Sequence, residues 1–135
     1  MSRLFDLLAL LIVALMVLLP QPSIQAAPAV EGDQADLDRL AALEDAHSQR
    51  PGDAQVAVEL GRAYLQVDQP AWALAVLPLG AGAPYEAHQV AAFAYATLLR
   101  PADALREAEA GLAACERGGC SETARIRLSY LAELM

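Results

Sequence analysis

Two cysteines, Cys115 and Cys120, stand on either side of Glu-Arg-Gly-Gly. In an oxidising compartment an even pair across a Gly-Gly turn is most simply a disulfide closing a short loop. The alternatives are two free thiols, should the chain stay in a reducing compartment, and a thiol-redox or metal site. Coordination needs at least two further ligands, and the spacing is not the two-residue gap of zinc or thioredoxin-like motifs. His47 and His88 are the only histidines, far apart in sequence and without a matched acid or nucleophile motif, so each reads as a surface or groove residue rather than a base. Glu44-Asp45 and Glu107-x-Glu109 fall on helical patterns and read as solvated faces. The sequence carries no glycine-rich phosphate loop, metal-spaced cluster or nucleophile elbow. Neither catalysis nor a cofactor is expected.

The chain of 135 residues has room for one domain and a short leader. Leu7 to Leu19 form an unbroken apolar run, preceded by Arg3 and followed by Pro20. Such a run fits a signal-peptide core and falls short of the roughly 20 residues a spanning helix needs. The expected layout is a signal segment over 1–26, a linker over 27–34 and a helical domain over 35–135, exported to the periplasm or another extracytoplasmic space. Ala26 and Ala29 are plausible cleavage ends. The alternative is an uncleaved, tilted anchor that would hold the domain at the membrane. The formal charge is −8, with 17 acids against nine bases, all of them Arg. This balance repels phosphate backbones and anionic headgroups, so nucleic acid and membrane surface are not expected partners, whereas a basic protein surface is favoured.

The elements that must position these residues are helices. Leu37, Leu40, Ala41 and Leu43 follow i, i+3, i+4 spacing, and Asp33, Asp36 and Asp38 lie where a helix start favours acids. Arg50-Pro51-Gly52-Asp53 ends that helix, and Asp53 can cap the next, which runs to about Val67. Pro70 suits the first turn of a helix from Ala71 to about Leu79. Gly80 to Pro84 breaks the chain. A helix from Tyr85 to about Leu99, a turn at Arg100 to Asp103, and a helix from Ala104 to about Arg117 follow. Ser121 can cap a last helix, ending at Met135, with Ile126, Leu131 and Leu134 as its apolar face. The sum is an all-α chain of six helices in antiparallel neighbours.

One phrase in this chain repeats. Leu60-Gly61-x-x-Tyr64, Ala73 and Gly80 recur as Ala91-Ala92-x-x-Tyr95, Ala104 and Gly111, a shift of 31 residues each time. The phrase resembles the tetratricopeptide repeat, over about residues 35 to 117, although Ala57 and His88 stand where that family has a bulky aromatic. The resemblance implies antiparallel helix pairs stacked as a short α-solenoid of about two to three units, the last helix serving as its cap. It also implies that Gly61 and Ala92 sit at the close contact inside each unit, faced by Ala73 and Ala104, with Tyr64 and Tyr95 beside them. The shorter period, against about 34 residues in the family, suggests a tight turn between units. In the family the first helices line a concave groove that holds a peptide or helix of a partner protein. Helical spacing from the matched residues places Gln55, Val58, Arg62, Leu65 and Gln66 on that face, and Glu86, Gln89, Phe93 and Thr97 beside them. Arg62 would donate to a carboxylate or carbonyl and Phe93 would supply a flat apolar contact; the alternative puts Phe93 in the core and Arg62 on a solvated face. The clamp some members use for a C-terminal carboxylate needs Lys and Asn, and this chain has neither. Trp72, next to a turn, reads as packing between units more readily than as an exposed contact. The functional expectation is a non-enzymatic adaptor of the cell envelope, with self-association through the last helix as the alternative.

Overall fold

The computed structural model describes residues 32–135, so the expectations for a signal segment at 1–26 and for most of the linker lie outside the described residues. Among the described residues there are six α-helices and no strand: α1 Gln34–Gln49, α2 Ala54–Gln66, α3 Pro70–Val76, α4 Tyr85–Thr97, α5 Pro101–Gly118 and α6 Glu122–Leu134. No helix among them is long and apolar enough to cross a membrane. The starts are chemically determined. Asp53 accepts from the backbone N–H groups of Gln55 and Val56, Ser121 accepts from that of Ala124, and Pro70 and Pro101 open α3 and α5, where a missing N–H costs nothing.

The repeat is most faithful at the turn inside each helix pair. Asp68 and Leu99, related by the same shift, both take the left-handed conformation, with φ of 55° and 56°. The N–H of Gln69 donates to the carbonyl of Tyr64 at 2.8 Å and that of Asp68 to Leu65 at 3.2 Å. Their counterparts are Arg100 to Tyr95 at 2.9 Å and Leu99 to Ala96 at 3.0 Å. Each turn is therefore a Schellman motif, which satisfies the last carbonyls of the preceding helix. In the second turn the Arg100 guanidinium also lies 4.9 Å from the centroid of the Tyr95 ring.

The two units part company in their second helices. α3 ends at Val76, short of the expected Leu79, because Pro78 disfavours helical backbone at Leu77, which is extended with ψ of 135°. The connection from Leu77 to Pro84 is therefore not the tight turn expected. α5 starts at Pro101, three residues ahead of the expected Ala104, and is the longest helix. Gly80 lies in the loop after α3 while its counterpart Gly111 is buried inside α5.

Each helix packs chiefly on its neighbours in sequence, and α2 also touches α4. One apolar cluster joins α1 to α4 through Leu40, Leu60, Ala63, Tyr64, Val67, Ala73 and Ala94. A second holds Val58, Leu77, Ala87, Val90 and Ala91, and a third Ala92, Ala108 and Leu131. The close approach at Gly61 is made by Leu77 and Val90, whose side chains lie 3.0 and 3.4 Å from where a Cβ would stand, rather than by Ala73. Ala92 shares an apolar cluster with Ala108 and Leu131. Leu77 and Ala108 are themselves related by the 31-residue shift, each four positions beyond the residue expected at the contact. Ala73 and Ala104 are nevertheless fully buried.

On α6 the inward residues are Ala124, Leu128 and Leu131. Ile126 and Leu134, expected to be apolar packing positions, are exposed, because they lie with Tyr130 on the opposite side of the helix. Cys115 and Cys120 form a disulfide, with Cα atoms 4.9 Å apart, tying the end of α5 to the residue before the Ser121 cap.

Candidate functional site

α2, α4 and α6 together border one surface groove. Its first lobe, of about 610 Å³, is lined by Gln55, Val58, Glu59 and Arg62 of α2, with Tyr85 and Glu86 at the start of α4. The second lobe, of about 450 Å³, is lined by Arg62, Leu65, Gln66, Gln89, Phe93 and, from α6, Arg127. Arg62 belongs to both. The structure therefore brings together eight of the nine residues assigned to this face by helical spacing. Thr97 is the exception: it lies at the last turn of α4, outside both lobes, and its hydroxyl donates to the Phe93 carbonyl at 2.9 Å.

The members differ in character. Val58 is buried and forms part of the floor, shared with the second apolar cluster. Phe93 is 44% exposed, a large apolar ring left in solvent contact on α4, and Arg62 is exposed beside it. Gln55 reaches along α2 to Glu59, its Nε2 donating to a carboxylate oxygen at 3.4 Å. At the mouth of the first lobe the Tyr85 phenol is pushed above its usual range, by burial first and then by the Glu86 carboxylate, with Arg62 opposing the shift. Glu59, Tyr85 and Arg127 were not readable as groove residues. Arg127 in particular sits on α6, which lacks the repeated phrase and so offered no register for placing it.

Away from the groove the polar residues serve the fold. His88 is buried, against the expectation of a surface or groove position. Its Nδ1 lies 2.9 Å from Oε2 of Glu107, whose side chain is itself mostly buried rather than solvated. The pair bridges α4 and α5 where Gly111 lets them approach, and burial of each group is matched by the other. Glu109 remains exposed. His47 is half-buried on α1. Glu44 is exposed and accepts a 2.6 Å hydrogen bond from the Tyr64 hydroxyl. The Tyr64 phenol is raised to about 12, by burial first and then by this carboxylate. Trp72 stacks on Tyr64 within one unit, centroids 6.1 Å apart, and is 60% exposed instead of packing between units. Among the described residues no cluster of three or more His, Cys, Asp or Glu side chains is placed to hold a metal ion.

The groove thus joins amide, guanidinium, carboxylate and aromatic groups from three helices. Compared with protein-family models, with curated proteins and with solved structures, the chain finds no match in any of the three.

Proposed function

We propose that this chain is a non-enzymatic, tetratricopeptide-like adaptor of the cell envelope, which holds a peptide segment or helix of a partner protein in the groove along α2, α4 and α6. The observation that carries the reading is the groove itself: Gln55, Val58, Arg62, Gln66, Gln89 and Phe93, placed on one face by helical spacing from the residues that carry the resemblance, line two depressions that share Arg62. Aromatic residues, phenylalanine among them, and arginine are both enriched at protein interfaces. The envelope assignment rests on the apolar run from Leu7 to Leu19 and agrees with the disulfide, which suits an oxidising compartment. Membrane contact would come only through that segment, if retained. The net charge of −8 favours a partner that is basic overall.

The test is a crosslinking pull-down from native envelope with the full chain as bait and an Arg62→Glu, Phe93→Ala double variant as control. A partner captured by the parent and lost by the variant supports the adaptor. A partner retained by the variant removes the groove from the reading.

A second reading draws on the stripe of Ile126, Tyr130 and Leu134, all exposed on the outer side of α6. An apolar helix face at the end of a stack can pair with another copy. Sedimentation across a concentration series tests it: a dimer weakened by Tyr130→Glu supports self-association, and a monomer at every concentration removes it.

A further inference from the structure

Of the eight described arginines four are paired locally, and four, Arg39, Arg62, Arg117 and Arg127, make no ion pair among the described residues. Arg50, Arg100, Arg106 and Arg125 each pair with an acid three residues away on their own turn or helix, at Asp53, Asp103, Asp103 and Glu122. Arg62 and Arg127, from different helices, make no ion pair among the described residues and line the second lobe together. The first lobe carries two acids, Glu59 and Glu86, that also take part in no ion pair there. Arg62 borders the same lobe without closing on either. Charge along the groove is therefore graded, with Glu59 and Glu86 only in the Pro84 lobe, Arg127 only in the Phe93 lobe, and Arg62 between them.

Resting on the adaptor reading, we propose that the groove selects a partner segment of two opposite charges: a basic side chain seated between Glu59 and Glu86, and an acidic side chain seated between Arg62 and Arg127, with an apolar side chain against Phe93. Guanidiniums recognise carboxylates with two parallel hydrogen bonds, and complementary charges fix register and suppress wrong partners more than they raise affinity. Gln66 and Gln89 flank the basic lobe with groups that can both donate and accept, as an extended peptide backbone requires. The net charge alone would favour a uniformly basic segment. The groove asks for an acid as well, at one end only, and so gives the bound segment a direction.

The experiment is an array of short synthetic peptides probed with the full-length chain in mild detergent. The peptides carry an apolar centre flanked by one Arg and one Asp in either order and at varied separation, by two Arg, by two Asp, or by neither. The expected result is that one order of Arg and Asp binds best, that removing either charge weakens binding about tenfold, and that added salt reduces the preference. Replacing Arg62 and Arg127 together by Glu should exchange the favoured acid for a base at that position alone. Arg39→Glu, a charge reversal on α1 outside the groove, should leave the ranking intact. A ranking that follows total positive charge overturns the proposal, as does binding indifferent to charge, which would leave the adaptor reading standing. Failure to bind any peptide would overturn both.

Discussion

A methyl group at Gly111 would stand 2.9 Å from Leu128 Cδ2 and 3.2 Å from His88 Cβ. Alanine there gains about 1 kcal/mol of helix propensity. It also overpacks a site where Leu128 is fully buried and His88 is held by Glu107, a cost of roughly 1–3 kcal/mol. Gly111→Ala should therefore lower stability in urea titration, whereas Gly118→Ala, with open space around it, should not. Glu107→Ala leaves buried His88 without its partner and should cost roughly 1–3 kcal/mol. The exposed Glu109→Ala should stay within about 0.5 kcal/mol. Tyr64 sets an alkaline limit. Its folded pKa of about 12 lies above the ordinary phenol value of 10.0, so its neutral form supports the fold fully below pH 10.0 and that support is lost as pH rises toward 12. Tyr64→Phe should flatten the stability profile across that interval. Leu60, Gly61, Tyr64 and Ala73 were legible as packing residues because small and aromatic types recur at one spacing. The His88–Glu107 pair was not, since its partners are 19 residues apart and meet only through the crossing of α4 and α5.

At the scale of elements, the paired turns are the most repeatable feature, and they tolerate their sequences unequally. Asp68 enters the left-handed region at modest cost, but Leu99, 87% exposed and with no side-chain contact to compensate, pays about 1–2 kcal/mol for it. Leu99→Gly should raise the melting temperature, by up to about 4–8 °C per kcal/mol relieved in a domain of this size, less what the freer unfolded chain takes back. Helix number and caps were legible because Asp53, Ser121 and Pro70 signal starts by local chemistry, whereas Pro101, read as part of a turn, opens α5. The end of α3 was misplaced because Pro78 acts on the residue before it. On α6 Leu131 was read inward and is buried, but Ile126 and Leu134 were misread because, like Leu128, they are apolar at helical spacing; two faces of that helix satisfy the same pattern, and only packing on α5 chooses Leu128 and Leu131.

At the scale of the molecule, the six helices of the described residues share three small apolar clusters instead of one large core. The disulfide tethers α6 at its start, and a loop this short constrains the unfolded chain by about 2 kcal/mol at most. Cys120→Ser should therefore raise amide exchange in α6 while leaving α1 to α3 protected. The groove was legible as a face, through the register of α2 and α4, but its graded charge was not, because Arg127 enters from a helix outside the repeat. Packing between successive helices has a further consequence, in time rather than in space. When nearly every substantial contact joins neighbours in sequence, little loop closure precedes the first stable contacts, and such chains fold within microseconds to milliseconds. The nascent domain can therefore order itself pair by pair as it emerges, and α6, last to arrive, completes the groove only when its Arg127 takes its place beside Arg62.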